Sequence, residues 1–389
     1  MLGYMLDALD VLLYVFAVQT LRDQYHWSAA TAGLVSSATL ITSSIGGIFA
    51  GVVADRIGRT RTLIYTILLY SFGSAGSATS TGIATLLAWR GVVGLGLGGA
   101  WSAGAVLVAE SWPPQHRAKA IGLMQSGWAI GYMLAAATTA FILPRYGWRV
   151  LFLVGILPAL LTVWIQRKVK EPEIWIKKSK ATTITSLFHA PLGRRTFLAT
   201  ALATSVLFAY WGLSTWLPAF LSAPVAQGGA GLNIFRTSAW IFTMQFGAFV
   251  GYVSFGFLAD RFGRRPVFFA YVLAAAVLTP IYGLTPRWAG ASSETWLLVL
   301  GPFIGFCGTG FFALFGAMLA ELYPTSIRAT AQGFVYNVGR AASALAPFAV
   351  GAIADRQGIG GALALNSGFF LVGAVLIFTL PETKNTELT

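Results

Sequence analysis

Charge is scarce in this chain. Only 10% of its 389 residues are Asp, Glu, Lys or Arg, whereas soluble domains carry about 25%. The deficit runs along the whole length, which excludes a soluble globular protein. Hydrophobic residues make up 56% and form long runs without the two-residue alternation of barrel strands. Because a bilayer requires about 20 apolar residues per helix and internal backbone bonding, the composition predicts an all-α membrane protein.

Thiols and imidazoles are equally few. Cys307 is the single cysteine, which excludes an intramolecular disulfide and a cysteine-rich metal site. It lies in an apolar run, as a packed side chain would. His26, His116 and His189 are scattered over predicted loops. We therefore expect no metal site, no cofactor and no catalytic constellation.

A duplicated charged loop organises the rest of the chain. Residues 51–61 read GVVADRIGRTR and residues 256–266 read GFLADRFGRRP, with six of eleven positions identical at an offset of 205. Residues 110–122 and 321–333 form a second pair at an offset of 211. Two motifs in one order at nearly one offset indicate two related halves.

The apolar runs predict twelve membrane-spanning helices. Their approximate bounds are 2–20, 31–54, 62–81, 83–109, 118–143, 148–166, 196–221, 237–259, 267–285, 295–320, 329–354 and 361–380. We divide the chain into an N-terminal six-helix bundle (1–166), a cytoplasmic linker (167–195) and a C-terminal six-helix bundle (196–389). In the linker we expect basic residues (Lys177, Lys178, Lys180) and a short interfacial helix at Ile184–Phe188.

The net charge of +13 follows the predicted topology. Of 26 Lys and Arg, six lie on one predicted side, two lie within spans (Arg90 and Arg340), and the other 18 share the side of the duplicated loops. The positive-inside rule makes that side cytoplasmic. We expect a multi-pass protein of the inner (plasma) membrane with both termini in the cytoplasm, and no nucleic-acid partner.

The duplicated loop resembles the major facilitator superfamily signature G-x-x-x-D-R-x-G-R-R/K. Its matching residues are Gly51, Asp55, Arg56, Gly58 and Arg59, and then Gly256, Asp260, Arg261, Gly263, Arg264 and Arg265. The fourth-span pattern at Arg90, Gly94, Gly96 and Gly98 and the late Pro381-Glu382-Thr383 are similar to the same superfamily. The resemblance covers the whole chain. It implies two six-helix bundles that expose a central site alternately to either side, in a protein that we expect to be a monomer.

The first span narrows the resemblance. Its D-x-x-D at Asp7 and Asp10 is similar to proton symporters for sialate and monocarboxylates, and more distantly to aromatic-acid symporters, which usually have Gly where Ala8 stands. Gly127 and Gly131 are followed by Tyr132, whereas drug antiporters carry G-x-x-x-G-P. The resemblance implies proton-coupled uptake of a small organic anion, with protons and the bilayer as the other partners.

Four charged residues within spans are candidates for coupling and binding, because intramembrane charge is costly and usually functional. We predict that Asp10 and Asp7, which are three residues apart and hence on one helix face, hold the proton; Asp7 is alternatively an interfacial residue. Arg90 is expected to neutralise one of them, or else to tie helices together or reach the interface. Arg340 lies twelve residues after Arg328, hence about 18 Å deep, and is expected to hold a carboxylate bidentately. The alternative is a salt bridge to Asp7 or Asp10.

Polar and aromatic residues are expected to line the same site. Asn337 precedes Arg340 by three residues, on the same helix face. The other predicted lining residues are Gln125, Gln245, Tyr336, Tyr210 and Trp211. Aromatic residues at helical spacing more often serve packing or face lipid.

Two charged clusters are predicted to act as gates. One contains Asp55, Arg59 and Glu110, its image contains Asp260, Arg264 and Glu321, and Arg117 and Arg328 accompany them. The resemblance implies that they tie helix ends in one state and separate in the other; the alternative is helix capping. Rival functions for the whole chain are a proton-coupled sugar symporter, a drug exporter, and a membrane enzyme or receptor, for which no constellation is visible.

Overall fold

The computed structural model describes residues 1–26, 29–176, 184–189, 191–384 and 386. Within these ranges the chain forms helices and connecting loops without strands, so the all-α prediction is confirmed. Lys177, Lys178 and Lys180 of the predicted linker lie outside the described residues.

The helices follow the predicted order of spans. The first to sixth comprise Leu2–Tyr25, Ala29–Ile57, Arg59–Ser77, Ile83–Ser111, Arg117–Val154 (the fifth with the start of the sixth) and Leu157–Lys168. The seventh to twelfth comprise Leu192–Ser222, Ile234–Phe262, Arg264–Gly283, Ser293–Gly310 with Ala313–Leu322, Arg328–Ser343 with Ala346–Gln357, and Ile359–Asn366 with Gly368–Leu376. The short helices are Pro114–His116, Glu173–Ile176, Ile184–Phe188, Val225–Gln227, Thr285–Trp288, Gly290–Ser292 and Ile377–Thr379.

Nine helical stretches in the described part of the chain are long and apolar enough to cross a bilayer. The first, third and eleventh predicted spans are helical as well. The eleventh is interrupted between Ser343 and Ala346, and the third contains many Ser, Thr and Gly residues. Large apolar side chains on the bundle surface, such as Phe197 at 73% and Leu160 at 69% exposure, have the environment of lipid-facing residues.

Glycines with positive φ make the sharp joints between consecutive spans. Gly58 (φ 117°) joins the second and third spans, and Gly263 (φ 104°) joins the eighth and ninth. Gly147 (φ 76°) interrupts the long helix between the fifth and sixth. Other residues rarely adopt these angles. The end of the bundle that carries Gly58 and Gly263 is called the motif end below.

The packing repeats between the halves. In the first half the second span packs on the fourth and the first on the fifth; in the second half the eighth packs on the tenth and the seventh on the eleventh. Between halves the fifth span meets the eighth, and the second meets the eleventh. Glycines permit these crossings: a Cβ at Gly51 would lie 2.5 Å from the carbonyl oxygen of Ala329, and one at Gly256 would lie 2.5 Å from that of Ala118.

Candidate functional site

A small cavity lies between the two halves. Its volume is about 40 Å³, and its lining comes from the first, second, fourth, fifth, seventh and eleventh spans. The lining residues include one acidic residue, Asp7, one basic residue, Arg340, and the aromatic residues Tyr4, Trp101, Trp128 and Trp211. An acidic residue, a positively charged residue and several aromatic residues therefore lie together where the two halves meet.

Arg340 projects into this cavity from the eleventh span. Its Nη1 donates a hydrogen bond to Ser43 Oγ (2.7 Å) on the second span, and its Cζ lies 5.0 Å from the centre of the Tyr336 ring. Its Nε is buried without a hydrogen-bond partner among the described residues, where no carboxylate lies within 4.0 Å of the guanidinium group either. The predicted alternative, an ion pair with Asp7 or Asp10, is absent from this part of the chain.

Asp7 faces Arg340's cavity from the first span. Its side chain is 4% exposed and lies near Tyr70 of the third span. Its Oδ1 has no hydrogen-bond partner in the described structure, and neither has the indole Nε1 of Trp211. The cavity thus holds buried polar groups that are available to hydrogen-bond a bound molecule.

Asp10 points elsewhere, into the interior of the first half. Its Oδ2 lies 3.9 Å from Arg90 Nη1, and both side chains are buried. The guanidinium group of Arg90 also lies over the Tyr14 ring, 5.4 Å from its centre. Ser74 and Gly155 pack around the carboxyl group of Asp10. A Cβ added at Gly155 would collide with Asp10 Oδ1. Arg90 does face an acid of the first span, as predicted, and that acid is Asp10.

The remaining predicted lining residues do not all lie at the same cavity. Gln125 lies beside the cavity, where its Oε1 accepts a hydrogen bond from Trp101 Nε1 (3.1 Å). Asn337 donates from Nδ2 to the Gly333 carbonyl (2.9 Å). Tyr210 and Gln245 line a second space of about 50 Å³ between the fifth, seventh, eighth and tenth spans. Arg340 and Trp211 therefore share the Asp7 cavity, whereas Gln245 belongs to a neighbouring one.

Sequence reasoning missed most of the aromatic lining. Tyr4 precedes Asp7 by three residues and Trp128 follows Gln125 by three, so each shares a helix face with a predicted site residue. Trp101 follows Arg90 by eleven residues, which is about three helical turns. Helical spacing from Asp7 and Gln125 was therefore a signal for Tyr4 and Trp128, whereas Arg90 lies inside the first half and gave no signal for Trp101.

The first charged cluster connects the two halves at the motif end. Arg59 pairs with Asp55 (2.9 Å) and Glu110 (2.9 Å) within the first half. Glu110 also pairs with Arg328 of the second half (2.7 Å). Asp55 accepts hydrogen bonds from the backbone N–H and the hydroxyl group of Thr330 (both 2.7 Å) at the start of the eleventh span. One half is thus bound to the other through buried ionic contacts.

The second cluster repeats the arrangement with the halves exchanged. Arg264 pairs with Asp260 (2.7 Å) and Glu321 (3.0 Å), and Glu321 pairs across the halves with Arg117 (2.9 Å). Asp260 accepts a hydrogen bond from the backbone N–H of Lys119 (3.0 Å). Every predicted cluster residue therefore participates, and Arg117 and Arg328 make the ion pairs that cross between halves.

Two glutamates that the sequence analysis did not assign to the charged clusters complete the motif end. Glu171 accepts hydrogen bonds from the backbone N–H groups of Arg59 (2.8 Å) and Arg61 (3.1 Å), which begin the third span. Glu382 does the same for Arg264 (2.8 Å) and Arg265 (3.0 Å) at the ninth span. Glu171 and Glu382 are 211 residues apart, which is the offset of the second repeat and a signal that was available.

The short linker helices also rest on the bundle. Trp175 of Glu173–Ile176 donates from Nε1 to the Asp55 carbonyl (3.3 Å). In the 3₁₀ helix Ile184–Phe188, Leu187 is fully buried, and Phe188 contacts Phe334 of the eleventh span at a ring separation of 5.3 Å. A helix was expected at Ile184–Phe188, and its inner face packs against the second half.

Known proteins resemble this chain over its full length. The profile of the Major Facilitator Superfamily matches residues 1–229 and 230–389. A putative metabolite transport protein of Haemophilus influenzae is 34% identical over 99% of this chain and 95% of its own length. A cis,cis-muconate transport protein of Acinetobacter baylyi is 30% identical over 98% of this chain and 93% of its own length.

A solved structure supports the fold independently of sequence. The proton:xylose symporter XylE superimposes with a TM-score of 0.82 at 18% identity, covering 100% of this chain and 95% of XylE. At that identity the likeness concerns the fold alone. From the profile, the relatives and the repeated bundle together, the chain belongs to the major facilitator superfamily and is a multi-pass membrane transporter rather than an enzyme.

Proposed function

We propose that this transporter is a proton-coupled symporter for the uptake of small organic anions, and that its substrates are planar carboxylates. One observation carries the proposal: Arg340, with an unpaired buried N–H, shares an enclosed aromatic cavity with Asp7. The name of the cis,cis-muconate transport protein supports an organic acid as cargo.

Arg340 is proposed to hold the carboxylate. A guanidinium group binds a carboxylate through two parallel N–H donors, and Nε of Arg340 is available for one of them. The Trp211 indole N–H is a further buried donor in the same cavity. The rings of Tyr4, Trp101 and Trp128 supply flat apolar walls, against which a ring or conjugated chain packs better than a hydroxyl-rich sugar acid.

Asp7 is proposed to carry the coupled proton. When ionised it competes with the substrate for Arg340, and when protonated it leaves the guanidinium charge to the incoming anion. Substrate and proton then favour each other through one electric field. Asp10 and Arg90 are proposed to link the first and fourth spans. Through this link, a change in the protonation of the first span would affect the position of the other helices of the first half.

The transport cycle is proposed to be alternating access. With the motif end assigned to the cytoplasm by the positive-inside rule, the ionic contacts of Glu110 with Arg328 and of Glu321 with Arg117 close the cytoplasmic exit. Their separation would open it. We likewise propose that the protein resides in the inner membrane as a monomer with both termini in the cytoplasm. The linker at residues 167–195 is proposed to divide its two bundles.

Uptake into proteoliposomes under an imposed pH gradient tests this function. The solutes are benzoate, nicotinate, cis,cis-muconate, lactate, sialate and xylose, and the proteins are wild type, Arg340→Gln and Asp7→Asn. Arg236→Gln is the matched control, because Arg236 forms an exposed pair with Glu294 of the kind that contributes little. We expect protonophore-sensitive accumulation of a planar acid, abolished by Arg340→Gln and uncoupled from pH by Asp7→Asn.

Other outcomes separate the rivals. Accumulation of xylose that survives Arg340→Gln would replace the carboxylate proposal with neutral-sugar symport. Preferential uptake of sialate or lactate would retain the anion site and contradict planar specificity. Proton-driven extrusion of hydrophobic cations would identify an exporter.

A further inference from the structure

Two aromatic rings from opposite halves are stacked directly beside the cavity. Trp101 of the fourth span and Tyr336 of the eleventh have ring centres 3.8 Å apart and planes inclined by 21°. Their side chains are 2% and 4% exposed. This is a face-to-face contact across the boundary along which the two bundles must separate.

The stack lies between the cavity and the motif end. Along the eleventh span, Arg340 reaches Ser43 in the cavity, Tyr336 meets Trp101 one turn nearer the motif end, Gly333 packs on Gly47, and Arg328 binds Glu110 last. Of these contacts between the halves on the motif-end side of the cavity, the Tyr336–Trp101 contact is therefore the one nearest the cavity. The two rings therefore lie on the boundary between the halves, on the motif-end side of Arg340.

The Trp101 ring is held in place from behind. Its Nε1 donates to Gln125 Oε1 (3.1 Å), and Gln125 Nε2 donates to the Phe312 carbonyl (3.4 Å). Phe312 lies in the break of the tenth span, between Ser293–Gly310 and Ala313–Leu322. The barrier is thus connected to a discontinuous helix, which is a place where backbone can rearrange.

Arg340 touches both the cavity and the barrier. Its Cζ lies 5.0 Å from the Tyr336 ring centre, within the range of a cation–π contact, and its Nε is free for a ligand. An anion that engages the guanidinium group reorients it and neutralises the charge that attracts the ring. Anion binding and attraction to Tyr336 therefore compete for one side chain.

We propose that Trp101 and Tyr336 form the inner barrier of the transport pathway, and that Arg340 keeps it closed until a carboxylate draws the guanidinium group away from the Tyr336 ring. The barrier follows from the stack itself, while the trigger rests on the proposed anion site. Tyr336 is a positioning residue in this scheme, because it acts on the pathway through Arg340 and Trp101.

Distances between spin labels test the proposal in the full-length protein in nanodiscs. The single cysteine is removed by Cys307→Ser, and labels are placed at the exposed motif-end positions Trp112→Cys and Phe262→Cys, one in each half. Benzoate is the probe anion. The variants are Tyr336→Leu, Tyr336→Phe and, as control, Phe208→Leu, which removes an aromatic contact with Phe369 inside the second half (ring centres 4.2 Å apart).

We expect benzoate to raise the wild-type population with a separated motif end. Tyr336→Leu should show that population without benzoate, raised roughly fivefold or more over wild type, and should gain nothing further from the anion. Tyr336→Phe keeps the ring and should respond as wild type does, as should Phe208→Leu. Trp101→Leu removes the same stack from the other half and should reproduce Tyr336→Leu.

The outcomes separate this proposal from the carboxylate function. If Tyr336→Leu and Trp101→Leu both match wild type without anion, the barrier is wrong whatever the substrate. If wild type and Tyr336→Leu respond equally to benzoate, the carboxylate site stands and the trigger is wrong. If neither benzoate nor any other acid of the uptake panel affects wild type, but Tyr336→Leu and Trp101→Leu still open, the barrier stands, and both the trigger and the proposed carboxylate function are overturned.

Discussion

At Gly58, the backbone conformation requires glycine, and a neighbouring carboxylate limits the room for a side chain. The backbone has φ 117° and ψ 156°, a region that is nearly inaccessible to other residues, and an added Cβ would collide with the Glu171 carboxylate. Gly263 is constrained in the same way by Glu382, whose Oε2 would lie 2.9 Å from the Cβ. The signature glycines therefore combine a sharp joint with room for a capping carboxylate.

Gly58→Ala should destabilise the protein by about 1–3 kcal/mol, the cost of a disallowed backbone conformation. The midpoint of thermal unfolding in nanodiscs measures it. Gly104→Ala is the control, since its Cβ would meet only Leu63 Cδ1 at 3.9 Å in a helix interior, where Ala is preferred. Equal midpoints for the two variants would contradict the constraint.

The two carboxyl groups of the first span should respond differently to removal. Asp10→Asn leaves the buried Arg90 charge without its counter-charge and should cost about 3–5 kcal/mol. The double variant Asp10→Asn, Arg90→Gln should recover a substantial part of that stability. Asp7→Asn has no ion pair to break in the described structure and should leave the unfolding midpoint nearly unchanged. A large loss for Asp7→Asn with none for Asp10→Asn would reverse the assignment.

At the scale of single helices, the caps of the third and ninth spans carry a prediction. Glu171→Gln and Glu382→Gln each remove a negative charge from a helix N-terminus. There the carboxylate accepts hydrogen bonds from backbone N–H groups and interacts favourably with the helix dipole. Each should cost about 0.5–2 kcal/mol. Hydrogen exchange should accelerate at residues 59–66 in the first variant and at 264–271 in the second. Glu294→Gln is the control, and unchanged exchange at both helix starts would exclude a capping role.

The sequence predicted those features that are repeated or strongly apolar. Apolar runs located the helices, and the duplicated loop identified Asp55, Arg59 and their images because the same chemistry occurs twice. Glu171 was within reach by the same offset. The Trp101–Tyr336 stack could not be predicted in this way, because it depends on how the two bundles meet. The repeat offset gives no signal for it either, since the repeat partner of Tyr336 is Gln125, which is not aromatic.

Hydropathy also could not orient the side chains of the first span. Asp7 and Asp10 are three residues apart and were expected on one face, yet Asp7 lines the cavity and Asp10 pairs with Arg90. A separation of three residues leaves about 60° between two side chains. That angle is enough to place one at the boundary between halves and the other inside the first half.

For the whole molecule, the two ionic clusters should contribute similarly to closure. Glu110→Gln and Glu321→Gln each remove the carboxylate that pairs with an arginine of the other half, and each should shift the equilibrium toward a separated motif end by about 1–3 kcal/mol. The spin-label pair at positions 112 and 262 measures the shift. The double variant should open further than either single one, and an effect confined to one cluster would show that the repeat is structural only.

The Asp10–Arg90 pair has a consequence for biogenesis. The first span leaves the ribosome well before the fourth, so Asp10 reaches the translocon when its partner does not yet exist. A central aspartate costs about 2.5–3.5 kcal/mol on insertion scales, and the apolar part of the first span carries both Asp7 and Asp10. Stable residence of this helix in the bilayer would therefore be delayed until Arg90 emerges, which makes the first four spans a single unit of membrane insertion.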